Sequence, residues 1–218
     1  MKRLTRRIAP WVVAALMGAN LRAGELPVRF HRQASPVWCW AAVSAMVVSY
    51  IQKLDLEDCQ VLAEYDMRLG GAGLCCAGAA QCQRGGLGLE EVGTLLGQVF
   101  NVHGQYDYQP LDFDGVVAEI DGGRPILAML AQPGSQASHV VLISGYQGTG
   151  TLIVLDPLNG RYSVSYSVLL HNWKYGNWVG TSRIRTDPAE FNAPGCSLVR
   201  EWLNSTFFRW RVVCRERG

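Results

Sequence analysis

Residues 37–51 read VWCWAAVSAMVVSYI, and this stretch decides the fold. Its apolar residues run nearly all round a helical projection. The spacing therefore predicts a helix buried in the centre of a domain rather than one lying on its surface. Ser35-Pro36 before it suits a helix start, with a capping hydroxyl and then proline in the first turn. Cys39 stands near the front of this helix, between Trp38 and Trp40. Further helices are expected over residues 57–69, 87–99 and 113–120, the last ended by Gly122-Gly123.

After Pro125 the period changes. Residues 126–131, 140–146, 152–156, 161–167 and 178–184 are short β-branched or aromatic runs separated by Gly, Pro, Asn or Ser. They read as antiparallel strands joined by turns such as Gly148-Thr149-Gly150 and Pro157-Leu158-Asn159-Gly160. Residues 207–213 suggest a last strand. The layout is α+β in a single domain over 24–218. Its helical half covers about 30–122, its β-rich half about 123–186, and a C-terminal extension 187–218, with a cleft between the two halves.

The 218 residues are 49% hydrophobic and 17% charged, which excludes disorder and suffices for a substantial core. Residues 1–23 have the order of a secretory signal peptide: Lys2, Arg3, Arg6 and Arg7, then a short apolar run, then a small-residue site ending at Ala23. Removing them takes five cations and no acid, turning the formal charge from +2 to −3. Nucleic acid is thereby excluded as the main partner. No later stretch is apolar enough to span a bilayer, so no stable membrane insertion is expected after cleavage. The protein is expected in the periplasm or outside a bacterial cell.

Seven cysteines fit an oxidising compartment. Residues 70–86, GGAGLCCAGAAQCQRGG, hold six glycines and cannot pack a core, so disulfides are expected to hold them. Cys59 is expected to bond one of Cys75 and Cys76, the other bonding Cys82, with Cys196 and Cys214 stapling the tail. The spacing fits no paired C-x2-C metal knuckle. Cys39 is left free.

A free thiol at a helix N-terminus meets unpaired N–H groups and the positive end of the dipole, which favour the thiolate, the nucleophilic form. His139 opens the strand HVVLISGY, and seventeen residues later Asp156 ends the strand LIVLDP. Across a hairpin, strand start and strand end lie side by side, so a carboxylate can orient an imidazole. Gln33, six residues before Cys39, is close enough for its amide to reach an oxyanion formed there. Taken singly, each residue is ordinary core or turn; their joint order and spacing point to catalysis. His31, His103 and His171 lack such context and are expected at the surface.

Gln33-x5-Cys39-Trp40-Ala41, then His139 followed by Gly145-Tyr146, resembles the papain-like cysteine peptidases. Asp156 in third place is more similar to bacterial branches, among them leader-peptide-cleaving peptidases and effector proteases of plant pathogens. The resemblance spans roughly residues 30–185. It implies a papain-like fold with a helical half carrying the nucleophile and a β-rich half carrying the base, and amide hydrolysis through a thioester. On this likeness Cys39 is the nucleophile, His139 the base and acid, Asp156 the orienter and Gln33 the oxyanion donor. Many plant and animal members instead use an Asn in third place; Asn172 and Asn177 lie 33 and 38 residues past His139, too far for the next-strand geometry. No inhibitory segment fits between the expected cleavage site and Gln33, so restraint would fall to an inhibitor or immunity partner, to redox state or to the tail.

The implied function is an exported cysteine peptidase acting on peptide or protein substrates, with no cofactor. Other acyl transfers on the same residues, such as cell-wall peptide cleavage, deamidation or transglutamination, are the alternative, with a non-catalytic binding module after them.

Overall fold

The computed structural model describes residues 22–78, 82, 84–135, 137–171, 174–187, 196–202 and 208–214. Most of the expected signal segment lies outside them. After one short strand come three helices: α1 (Cys39–Gln52), α2 (Asp58–Arg68) and α3 (Leu89–Phe100). A fourth, α4 (Phe113–Asp121), precedes the main run of strands and starts where the Asp112 side chain accepts the Gly115 N–H at 2.7 Å. The strands are β1 (Ala23–Glu25), β2 (Gly104–Asp107), β3 (Ile126–Ala131), β4 (Ser138–Gln147), β5 (Thr151–Asp156), β6 (Gly160–Ser165) and β7 (Asn177–Ile184). They form one seven-stranded antiparallel sheet in the order β2-β7-β3-β4-β5-β6, with β1 on the far end of β4. Strands β8 (Cys196–Trp202) and β9 (Phe208–Cys214) make a separate hairpin in which Cys196 stands opposite Cys214. The side chains of those two cysteines lie outside the described ones.

The sheet is buried on both faces, and the pleat sorts its residues by parity. Leu127, Val140, Leu142 and Leu155 join the core made with α1, α2 and α3, which includes Trp40, Met46, Leu62 and Leu96. Ile126, Ala128, Val141, Ile143 and Val154 turn the other way, onto Val116 and Ile120 of α4 and Leu169 of the short α5 (Tyr166–His171). Helix α1 is buried over almost its whole length, as its nearly continuous apolar sequence, broken by Ser44 and Ser49, requires.

Two expectations are corrected. Ser35 and Pro36 do not begin the helix: α1 starts at Cys39, and Trp38 caps it without a side-chain bond. Ser35 instead accepts the Trp38 N–H on its carbonyl at 3.1 Å, in a turn that delivers the chain to the helix. The strand over 161–167 stops at Ser165, because Ser165 pairs with Thr151, the first residue of β5, and no ladder partner remains beyond it. Tyr166 then opens α5. Among the described residues no helix is long and apolar enough to cross a membrane.

Among the described residues two disulfides are present, Cys59–Cys76 and Cys75–Cys82, and Cys39 is free and buried. The glycine-rich stretch is further tied at Asp66, whose carboxylate accepts the Gly73 N–H at 2.9 Å and pairs with Arg84 at 2.6 Å.

Candidate active site

Cys39 is the first residue of α1 and His139 the second of β4, while Asp156 closes β5. Strands β4 and β5 run antiparallel with Leu142 opposite Leu155, so the start of one and the end of the other share an edge of the sheet. There His139 Nε2 meets Asp156 Oδ1 at 2.8 Å. The ring's other nitrogen is left for sulfur, and Cys39 is near enough to favour the charged imidazole. Asp156 is 0% exposed and His139 6%.

The carboxylate is held from several sides. Oδ1 also accepts the Leu158 N–H at 2.9 Å, and Oδ2 accepts Asn159 Nδ2 at 2.5 Å and the Tyr162 hydroxyl at 3.4 Å. Asn159 Nδ2 also donates to the Tyr175 hydroxyl at 2.5 Å, and the Tyr175 ring packs on His139 with centroids 4.4 Å apart. Gly176 (φ +108°) makes this approach feasible, since a Cβ there would sit 2.2 Å from the Ala131 carbonyl. Burial acts against both charges. Even so, the hydrogen bonds from His139 and Asn159 keep Asp156 below its ordinary range. The bond to Asp156 and the adjacent Cys39 raise His139 from 6.5 to about 9.

Gln33 is buried on the segment preceding α1. Its Nε2 donates to the Ser35 carbonyl at 2.6 Å, and its Oε1 has no partner among the described residues. A cavity of about 480 Å³ opens at Cys39. Pro36 and Val37 line it together with Cys39, residues 86–88 form one wall and Ala137 with Ser138 the other. The sequence suggests walls from 70–86 and 132–138, and the observed lining overlaps both while reaching on to Leu87 and Gly88. Trp40 fixes the first wall by donating its indole N–H to the Gly85 carbonyl at 3.1 Å. Among the described residues no charged side chain lines the cavity.

A family model described as papain-like cysteine protease AvrRpt2 matches residues 21–174. The chain belongs to that family. Comparison with individually curated proteins finds no match. Membership makes this papain-like protein a cysteine protease, with protein as its substrate class.

Within this papain-like domain Asn177 is no rival of Asp156 for the imidazole: it opens β7 and pairs with Ala131. His103 and His171 are exposed, as expected, but His31 is not a plain surface residue. Its Nε2 accepts the Asp58 N–H at 3.2 Å. His31, Glu57 and Asp58 bring ligand atoms within 4.8 Å of one another. Those atoms are already engaged by the backbone: Asp58 accepts the Ala34 and Cys59 N–H groups, both at 2.7 Å. Sequence reasoning passed over Asn159 except as a turn residue, and Tyr175 and Asp58 altogether. Only the turn sequence Pro157-Leu158-Asn159-Gly160 after Asp156 gives a signal for the first.

Proposed function

We propose that the chain is an exported cysteine endopeptidase in which Cys39, His139, Asp156 and Gln33 carry the reaction. The Cys39 thiolate attacks the scissile carbonyl carbon, forming a C–S bond and an oxyanion that the Gln33 amide stabilises by donating an N–H. The His139 imidazolium, oriented by Asp156, gives its proton to the departing amine as the C–N bond breaks. Water then attacks the thioester, His139 takes its proton, and sulfur leaves to restore the thiolate–imidazolium pair. The supporting observation is the 2.8 Å bond from His139 to Asp156, with the adjacent Cys39 favouring the charged form of the same imidazole. Export is supported by the basic-then-apolar start of the chain and by the two disulfides.

The test is brief treatment with iodoacetamide near pH 5, where an ordinary thiol with pKa about 8.5 is nearly inert, followed by peptide mapping. A single adduct on Cys39 is expected in the wild type and none in His139→Ala. Cys39→Ala should abolish cleavage of a protein substrate. Cleavage that survives Cys39→Ala, or alkylation indifferent to His139, would reject the assignment.

A further inference from the structure

An oxyanion donor is useful only if it is held within about 0.5 Å of its working position. Gln33 sits on a segment with no regular secondary structure, so its own element cannot fix it. Residues 31–34 are instead strung between two others. Toward the turn after Asp156, the Gln33 N–H is donated to the Pro157 carbonyl at 3.1 Å, and Arg32 Nη1 to the Leu158 carbonyl at 2.8 Å. Toward the first turn of α2, the Ala34 N–H is donated to Asp58 Oδ2 at 2.7 Å, and His31 Nε2 accepts the Asp58 N–H.

Asp58 is 3% exposed, and the mechanism above gives it no task. A carboxylate that deep is costly to bury unless its lone pairs are used, and here one oxygen is spent on the residue next to Gln33. The Pro157 contact ties Gln33 to the turn that carries Asp156. The Asp58 contact ties the following peptide to the disulfide-bonded helix α2, whose Cys59 is bonded to Cys76. With both ends of the Gln33 peptide fixed, the side chain has a defined origin relative to His139.

We infer that Asp58 is a positioning residue for catalysis: by holding the Ala34 N–H it sets where the Gln33 amide meets the oxyanion. This rests on the peptidase reading above. Asp58 touches neither substrate nor the reacting atoms and acts through Gln33 alone.

The experiment compares hydrolysis of a protein substrate with alkylation of Cys39 by iodoacetamide, both expressed per Cys39 that reacts near pH 5, where the ordinary thiol of an unfolded molecule is nearly inert and drops out. Displacement of iodide by the thiolate develops no oxyanion, so it does not need Gln33. In Asp58→Asn, with Asp58→Ser as a second variant should the first fold poorly, kcat is expected to fall about ten- to a hundredfold, less than the roughly hundred- to thousandfold cost of losing an oxyanion donor outright, because the Gln33 amide is displaced and not removed. KM and the rate of alkylation should stay within about twofold. In a Gln33→Ala background, Asp58→Asn should cost little more, because the group it positions is gone. Parallel loss of hydrolysis and alkylation would show a merely structural role and overturn the inference, as would full additivity with Gln33→Ala. Hydrolysis that needs Cys39, His139 and Gln33 but not Asp58 overturns this inference and leaves the peptidase reading standing. Hydrolysis indifferent to Cys39 removes both.

Discussion

At the scale of single residues, the His139 proton is the quantity most sharply set by this structure. Burial alone would push the imidazole toward its neutral form, and the bond to Asp156 with the adjacent Cys39 reverses that, to about 9. Asp156→Asn removes the charge while keeping a similar shape, so the His139 pKa should drop below 9. NMR titration of the ring reads this directly, and the alkaline limb of activity should move down with it. The proposed role also implies a loss of activity of roughly tenfold or more, since an amide can hold the wrong imidazole tautomer. Asn159 is a second case. It is the 2.5 Å donor to Asp156 Oδ2, and truncation leaves a buried charged acceptor short of a partner. Asn159→Ala should destabilise the protein by about 1–3 kcal/mol in urea unfolding. A change within error would mean that the Tyr162 hydroxyl or water replaces it at no net loss.

Among the elements, the loop closed by the two disulfides combines local sequence with distant anchoring. Cys75 and Cys82 are buried at 1% and 2%, whereas Cys76 is exposed and Cys59 half-buried. Thiol exchange needs access to sulfur, so stepwise reduction should open Cys59–Cys76 before Cys75–Cys82. Differential alkylation with peptide mapping along a dithiothreitol series gives the order, and the reverse order would sink this account. The same stretch shows what a sequence can carry. Helices α1 to α4 and strands β3 to β5 and β7 were legible within a few residues, since each has its own apolar period and bounding turns. Strands β1 and β2, of 3 and 4 residues, were not. Neither has a period of its own: β1 exists because Gly24 and Glu25 lie against Gly145, where a Cβ would stand 2.6 Å from the Gly24 carbonyl. The proximity of His139 and Asp156 could be read because antiparallel neighbours turn chain order into contact. Asp58 and Tyr175 could not, because they reach the site from α2 and from the turn before β7, across 24 residues to Ala34 and 16 to Asn159.

For the whole molecule, the coupled charges at the sheet edge predict how stability follows pH. His139 binds its proton more tightly when folded, at about 9 against an ordinary 6.5. Its contribution is therefore fully present below about 6.5 and is lost as pH rises toward 9. Asp156 and Asp66 have the opposite sign. Hydrogen bonds hold both below the ordinary 3.8, so their contributions are present above that value and disappear on further acidification. Stability should accordingly peak between these limits. From 6.5 to 9 the unfolding free energy should fall by up to about 1.4 kcal/mol per pH unit for one differentially bound proton. His31 is raised as well, chiefly by the Asp58 side-chain carboxylate, whose Oδ1 lies 3.5 Å from Nε2, and with further help from Glu57, against burial and Arg29, and it adds a slope of the same sign. Comparison with His139→Gln separates the two, because His31 is common to both proteins. The variant's melting temperature should change less between pH 6.5 and 9 than that of the wild type. Parallel curves would mean that the folded protein holds no extra proton at His139. The thiolate–imidazolium pair would then lack the electrostatic footing that Asp156 supplies.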